Sequence, residues 1–330
     1  MPEHSQTWPP CEPGSALEPS QWPFVCIGPG RVGSTLSRAL IALGFPPVGI
    51  GGIPTAEVER LADELGTVVR GVAGQGTAGR SATAGETPAQ DTDWSGLGRT
   101  ARLIVLTVPD DVLGEVSTRV LNTAGLGPGN CVLQTSATIA ARPAVEHVPD
   151  EPLFVSLHPM KPIPAPDLEP AHFHGVVFGV EGNEPARELG CALAHLLGGH
   201  PIELAAADKP AYHAAGVLAY TGLMALYGAV SDLARIVDLP GQWLQQGIVP
   251  GLVDTLEQLQ GTGLPAALTG PVSRGDCGVI LAHLEALETR VPHLLPLYRE
   301  ITRFNIGVAE AGGKVDCDTI CALRDLLETF

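Results

Sequence analysis

The chain has 330 residues, enough for two domains and a sizeable hydrophobic core. Its 19 basic and 36 acidic residues leave a formal charge of −17, which argues against nucleic-acid binding and says nothing about fold. No uninterrupted apolar run reaches the roughly 20 residues of a membrane helix, so no membrane partner is expected.

The seven cysteines are scattered and odd in number. Cys26 and Cys131 fall inside predicted core strands, so buried thiols are expected rather than bridges or ligands. Cys317 and Cys321 stand one helical turn apart, with no matching His or Cys pair nearby. No metal site is therefore expected, and a reducing cytoplasm fits the pattern.

Met1 to Trp22 is rich in Pro, Ser and Glu without an apolar core, and reads as a disordered leader rather than a signal peptide. Phe24 to Ile27 then predicts a buried strand, followed by Gly28-Pro29-Gly30-Arg31-Val32-Gly33 and a helix with Val32, Leu36 and Leu40 on one face. Strand, glycine turn and helix in that order are the context in which GxGxxG binds a dinucleotide. Gly28 would make the tight turn, Gly30 would admit a diphosphate to the backbone, and Gly33 would let helix and strand pack closely. The first amides of the helix, with its dipole, would hold the anion.

Pro47 to Ile50 predicts a second strand and Thr55 to Leu65 a helix. Strands of this kind end in an Asp or Glu for the ribose of NAD, or near an Arg for the phosphate of NADP. Gly51 to Thr55 holds neither, so NADP and NAD both stand, with Arg31 the cation best placed for a phosphate. Residues 71–98 are rich in Gly, Ala and Thr and read as a flexible insertion.

Arg102 to Val108 predicts a strand that Pro109 stops, with Asp110 and Asp111 opening the next helix. Asn130 to Gln134 is another, ending in Thr135-Ser136-Ala137. Such strand ends border the crevice in which α/β sheets bind ligands, which makes Thr107, Val108, Pro109 and Ser136 cofactor contacts. Thr107 and Ser136 serve equally well as turn and cap hydroxyls.

Leu153 to Leu157, Val176 to Val180 and Pro201 to Leu204 predict further strands, with a helix from Pro185 to Leu197. Beyond Ala205 the period becomes helical over Lys209–Leu239, Trp243–Gln260, Gly278–Arg290 and Leu294–Ala311. The expectation is an α/β Rossmann-type doubly wound sheet over 23–205, followed by an all-α C-terminal domain over 206–330.

Five strings read together: Ile27 to Gly33 (IGPGRVG), Thr107 to Asp111 (TVPDD), Leu157 to Met160 (LHPM), Asp208 to Ala215 (DKPAYHAA) and Ala267 to Asp276 (ALTGPVSRGD). With them the chain, from Phe24 onward and leaving out the 71–98 insertion, resembles the two-domain Rossmann-like proteins that carry a C-terminal helical domain of unknown function. These are distant relatives of the ketopantoate, pyrroline-carboxylate and hydroxyisobutyrate reductases. It departs from that pattern at Gln134-Thr135-Ser136-Ala137, at Thr221 and at Gly52-Ile53-Pro54, where relatives usually carry His-Thr-Ser-Gly, Asn and Ser-Arg-Ser.

The resemblance implies that Lys209, as in the hydroxyacid reductases, moves a proton to or from the substrate oxygen. His213, four residues on and on the same helix face, is a second candidate acid. A surface Lys and a core His bonded to a carbonyl is the alternative. Arg274 would clamp a substrate carboxylate through paired N–H bonds, with Asp276 orienting it or capping the next helix; a structural Arg–Asp pair is the competing assignment. His158 would face the nicotinamide or merely cap its strand. The apolar stretch Leu218 to Leu226 corresponds to a helix that packs between subunits in the relatives, which implies a homodimer. Two functions remain open: an NAD(P)-dependent oxidoreductase acting on a small carbonyl, imine or hydroxy acid, and a nucleotide-binding protein without turnover.

Overall fold

The computed structural model describes residues 17–52, 56–71, 94–143, 150–165 and 169–330. Strand β1 (Phe24–Ile27) lies inside the sheet and is buried along its whole length, as four successive apolar residues require. Helix α1 (Arg31–Ala42), strand β2 (Pro47–Gly52), helix α2 (Ala56–Glu64) and strand β3 (Val69–Gly71) build outward on one side. Helix α3 (Leu97–Thr100) and strand β4 (Leu103–Leu106) then cross to the other side of β1, followed by α4 (Asp110–Thr123), β5 (Cys131–Gln134) and β6 (Leu153–Pro159). Strand β7 (Val177–Gly182), helix α5 (Ala186–Leu196) and strand β8 (His200–Glu203) close the sheet.

The strand order is β3-β2-β1-β4-β5-β6-β7-β8. Every pairing is parallel except β6 with β7, where His158 lies opposite Gly179. Reversal of strand order at β1/β4 opens a crevice beyond their carboxyl ends, the usual ligand site of such sheets. One face of the sheet packs Leu36, Leu40, Leu61 and Leu193 against Cys26, Val105 and Val155. The other packs Leu97, Leu113, Val116 and Val120 against Val25, Ile27 and Ile104. This is the expected doubly wound architecture.

An almost wholly helical region follows: α6 (Lys209–Gly216), α7 (Gly222–Ile236), α8 (Val249–Thr262), α9 (Leu264–Ala267), α10 (Cys277–Arg290), α11 (Leu295–Ala311) and α12 (Cys317–Thr329). The chain divides into two compact units, one ending at Tyr220 and the other running from Thr221 to Phe330. The second has its own core of Ile280, Leu284, Leu287, Ile306, Ile320, Leu323 and Leu327.

Several expectations are corrected. The leader was drawn too long: Pro19–Gln21 forms a short helix, and Leu17 and Trp22 pack on the sheet's core, their apolar bulk outweighing the polar composition around them. Residues 1–16 lie outside the described part. The expected insertion over 71–98 begins and ends in ordered chain, since Gly71 belongs to β3 and Trp94 is 1% exposed beneath β2. Residues 72–93 lie outside the described part. The expectation of unbridged cysteines holds for Cys26 and Cys131, which are free and buried, but Cys191 is disulfide-bonded. Finally, one helical run, Ala206–Ile236, is long and apolar enough to cross a membrane by length and composition alone. Its few polar residues are spaced widely enough to interrupt every apolar run without making the helix polar.

Candidate functional site

The glycine turn is built as its spacing requires. Gly28 has a positive φ of 86°, a conformation L side chains disfavour, and its N–H donates to the Gly51 carbonyl at 2.8 Å. An added Cβ at Gly33 would overlap Thr107 Oγ1 and lie 2.8 Å from the Gly28 carbonyl oxygen. Around Gly30 there is open space, with no atom within 4 Å of an added Cβ. Gly30 caps α1 without a side chain, so the N–H groups of the first turn keep no intrahelical partner. Thr107 Oγ1 donates to the Gly28 carbonyl at 2.7 Å, and Ser34 Oγ to the Pro29 carbonyl at 2.9 Å, which fixes the turn.

From here a cavity of about 780 Å³ runs along the carboxyl ends of the strands. Gly28 to Val32, Gly52, Thr107 to Asp110, Thr135 to Ala137, His158 and His213 line it. A smaller pocket of about 470 Å³, lined by Arg31, Val32, Thr135, His158 and Lys161, shares four of those residues with it. All these residues belong to the first compact unit. The open space, the free helical amides and the absence of a capping side chain fit the diphosphate of a dinucleotide.

The loop after β5 is tied down by side chains. Ser136 Oγ and Thr138 Oγ1 both donate to Asp110 Oδ2 at 2.8 Å. The same Ser136 oxygen accepts the Thr138 and Ile139 N–H groups at 3.1 and 2.9 Å. Gln134 Nε2 donates to the Ile139 carbonyl at 2.8 Å. Behind the loop sits Lys209, 1% exposed. Its Nζ donates to the Ile139 carbonyl and to Ser156 Oγ at 2.7 Å, and lies 3.4 Å from Glu181 Oε2. Burial lowers the Lys209 ammonium pKa, against the opposing pull of Glu181 and then Asp110.

In the cavity wall, His158 is held by aromatic edges. Its ring centroid is 5.7 Å from that of Tyr212 and 5.8 Å from that of His213. Tyr212 Oη accepts the Gly179 N–H at 3.0 Å and donates to the His158 carbonyl at 3.3 Å. Burial pushes the Tyr212 phenol up to about 12. His158 Nδ1 is buried with no hydrogen-bond partner among the described residues. Burial first, then the positive charges of His213 and Lys209, push this imidazole down to about 4, with Asp110 acting in the opposite direction.

The structure therefore brings Gly28, Pro29, Gly30, Arg31, Val32, Thr107, Val108, Pro109, Ser136, His158 and His213 to one cavity. Gly33 packs against Thr107 beneath it, and Lys209 lies behind its loop. Arg274 and Asp276 belong to the second unit, where Asp276 Oδ1 caps α10 by accepting the Val279 N–H at 3.2 Å. Among the described residues no group of three His, Cys, Asp or Glu side chains is placed to hold a metal. Sequence reasoning missed Ser156, Glu181, Tyr212 and Asp110 as parts of this network. Ser156 gives a signal in retrospect, since it is a polar residue amid the apolar strand Leu153 to Leu157.

Residues 176–304 match a family described as a domain of unknown function, DUF2520. Comparison with curated proteins found no match. Among solved structures, a candidate NADP oxidoreductase from Bacteroides fragilis is 20% identical with a TM-score of 0.64, covering 88% of this chain and 98% of its own. A protein from Thermotoga maritima is 20% identical with a TM-score of 0.62, covering 87% and 98%. The pyrroline carboxylate reductase of Plasmodium falciparum, solved with NADP, is 13% identical with a TM-score of 0.54, covering 92% and 98%. At these identities the likeness is one of fold: a Rossmann-like α/β sheet followed by helices.

Proposed function

We propose that the protein is a reductase that uses NADP or NAD to reduce a small carbonyl or imine compound, or runs the same reaction in reverse. The observation that carries this reading is one cavity lined both by the open, uncapped start of α1 and by two imidazoles. Gly28 to Val32 would hold the diphosphate, Thr107 to Pro109 the middle of the dinucleotide, and Ser136 and His158 its ring end. When bound, the dinucleotide supplies or accepts a hydride; the protein's part is to place the substrate carbon and exclude water. Neutral His158 orients a polar atom of the ligand by hydrogen bonding, and the loop tied to Asp110 fixes the wall opposite.

A second reading, dinucleotide binding without turnover, draws support from the end of β2. There Gly51 and Gly52 offer no carboxylate to the ribose. We also propose a homodimer. In α7 only Ala234 is buried, while Leu223, Met224 and Leu226 are exposed, an apolar surface that a second copy would cover.

Titration with NADPH and NADH, followed by cofactor oxidation with pyruvate, 2-oxobutanoate and 1-pyrroline, tests the reading. Binding with turnover supports the reductase; binding without turnover supports the second reading; no binding at millimolar cofactor refutes both. Sedimentation at micromolar protein tests the dimer, and a monomer would refute it.

A further inference from the structure

An ammonium group has three N–H donors, and in Lys209 they face the Ile139 carbonyl, Ser156 Oγ and Glu181 Oε2. Glu181 Oε2 also accepts the Ala141 N–H at 2.6 Å, and Ser156 Oγ donates to the Ser136 carbonyl at 3.1 Å. Lys209 thus closes a ring of bonds on the rear of the 134–141 loop. The cavity touches the front of that loop, at Thr135, Ser136 and Ala137, and Lys209 is absent from its lining. Delivering a proton from Lys209 to a ligand would require breaking those bonds and moving the loop aside.

The ionisable groups that do line the cavity are Arg31, Asp110, His158 and His213. An arginine stays charged, and the Asp110 carboxylate is engaged by two hydroxyls. His158 is the more enclosed imidazole, with one ring nitrogen buried. That leaves the half-buried ring of His213. We infer that Lys209 is a positioning residue, pinning the Ser136–Ala141 loop from behind, and that His213 passes the proton to the substrate. The inference rests on the reductase reading above. As hydride arrives at the C=O or C=N carbon, the π electron pair moves to oxygen or nitrogen and takes the proton of His213. The substrate is reduced, the dinucleotide oxidised, and the neutral imidazole is reprotonated from water.

The chain has three lysines, Lys161, Lys209 and Lys314, which makes acylation by acetic anhydride, read by peptide mass, a direct test. In the folded full-length protein Lys161 and Lys314 should acylate at least a hundredfold faster than Lys209, and NADPH should not change the Lys209 rate. A Lys209 that reacts as fast as its two counterparts and is protected by NADPH overturns the pinning role.

The second arm uses the panel compound that turns over fastest. His213→Asn should lower kcat about 10²- to 10³-fold and remove the alkaline limb of the pH profile, where a proton donor loses its proton. Lys209→Met with Glu181→Gln, which removes both charges of the pair together, should lower kcat about tenfold or less and keep that limb. The reverse ranking refutes the assignment. Absence of turnover with any compound removes the reductase reading and His213's role with it, while acylation still decides Lys209.

Discussion

Gly30 and Gly33 lie three residues apart in one turn, and the structure separates what each does. Replacing Gly33 by Ala gains about 1 kcal/mol of helix propensity. Against this, the new methyl overlaps Thr107 Oγ1, stands 2.8 Å from the Gly28 carbonyl oxygen and 3.0 Å from Cys26 Sγ. Two of these neighbours are fixed by the buried strand and the tight turn, so the strain is of the overpacking kind, about 1–3 kcal/mol. Displacing Thr107 also weakens its bond to the Gly28 carbonyl, worth about 1 kcal/mol. The net expectation is a loss of about 2 kcal/mol, read as a fall in Tm of about 4–8 °C for a unit of this size.

Gly30→Ala should behave differently. Its φ and ψ of −75° and −159° suit any residue, and nothing meets the new methyl. Stability should stay within about 1 kcal/mol, with the stiffer unfolded chain favouring Ala. The methyl would nevertheless occupy the space through which a diphosphate reaches the amides. NADPH affinity should therefore fall at least about tenfold, or 1.4 kcal/mol. Thermal melts and fluorescence titration of both variants suffice. A Gly30→Ala protein that binds NADPH as tightly as its parent would refute the diphosphate site, and a Gly33→Ala protein with unchanged Tm would refute the packing argument.

Lys209→Met alone should cost up to about 3 kcal/mol in denaturant unfolding, because it leaves the Glu181 carboxylate, 13% exposed, without its ammonium partner; adding Glu181→Gln should recover most of that, and no recovery would show the pair is not coupled. His158 has a folded pKa of about 4, below the ordinary histidine value of about 6.5. The unfolded chain therefore binds the proton first, and stability should fall as pH drops from about 6.5 to 4, by up to about 3 kcal/mol. His158→Gln should flatten that slope, and an unchanged slope in unfolding curves would refute the burial argument. Trp94, under β2 against Gly51, should behave as core: Trp94→Ala should cost about 3–5 kcal/mol, and a loss under 1 kcal/mol would place it outside the core.

The parallel half of the sheet was legible because its strands are short apolar runs punctuated by Gly, Pro and Asp. β3 was missed because Val69-Arg70-Gly71 is too short and too polar to signal itself. Trp94 was lost in a polar stretch whose average composition hides one large buried ring. The glycine turn could be read residue by residue, since a turn's demands are local. The Lys209 network could not: Ile139, Ser156, Glu181 and Lys209 are brought together only by the order of β5, β6 and β7, which no local pattern encodes. His158 and His213 were each visible as candidates, but their 5.8 Å approach depends on Tyr212 stapling α6 to the β6–β7 pair.

That staple has a consequence for how the molecule divides its labour. The glycine turn, the hydroxyl-bound loop and both imidazoles are fastened to one continuous sheet, upstream of Thr221. The spacing from the first amides of α1 to the two histidines is therefore inherited from the strands. The downstream helical segment can therefore vary in sequence without altering that distance.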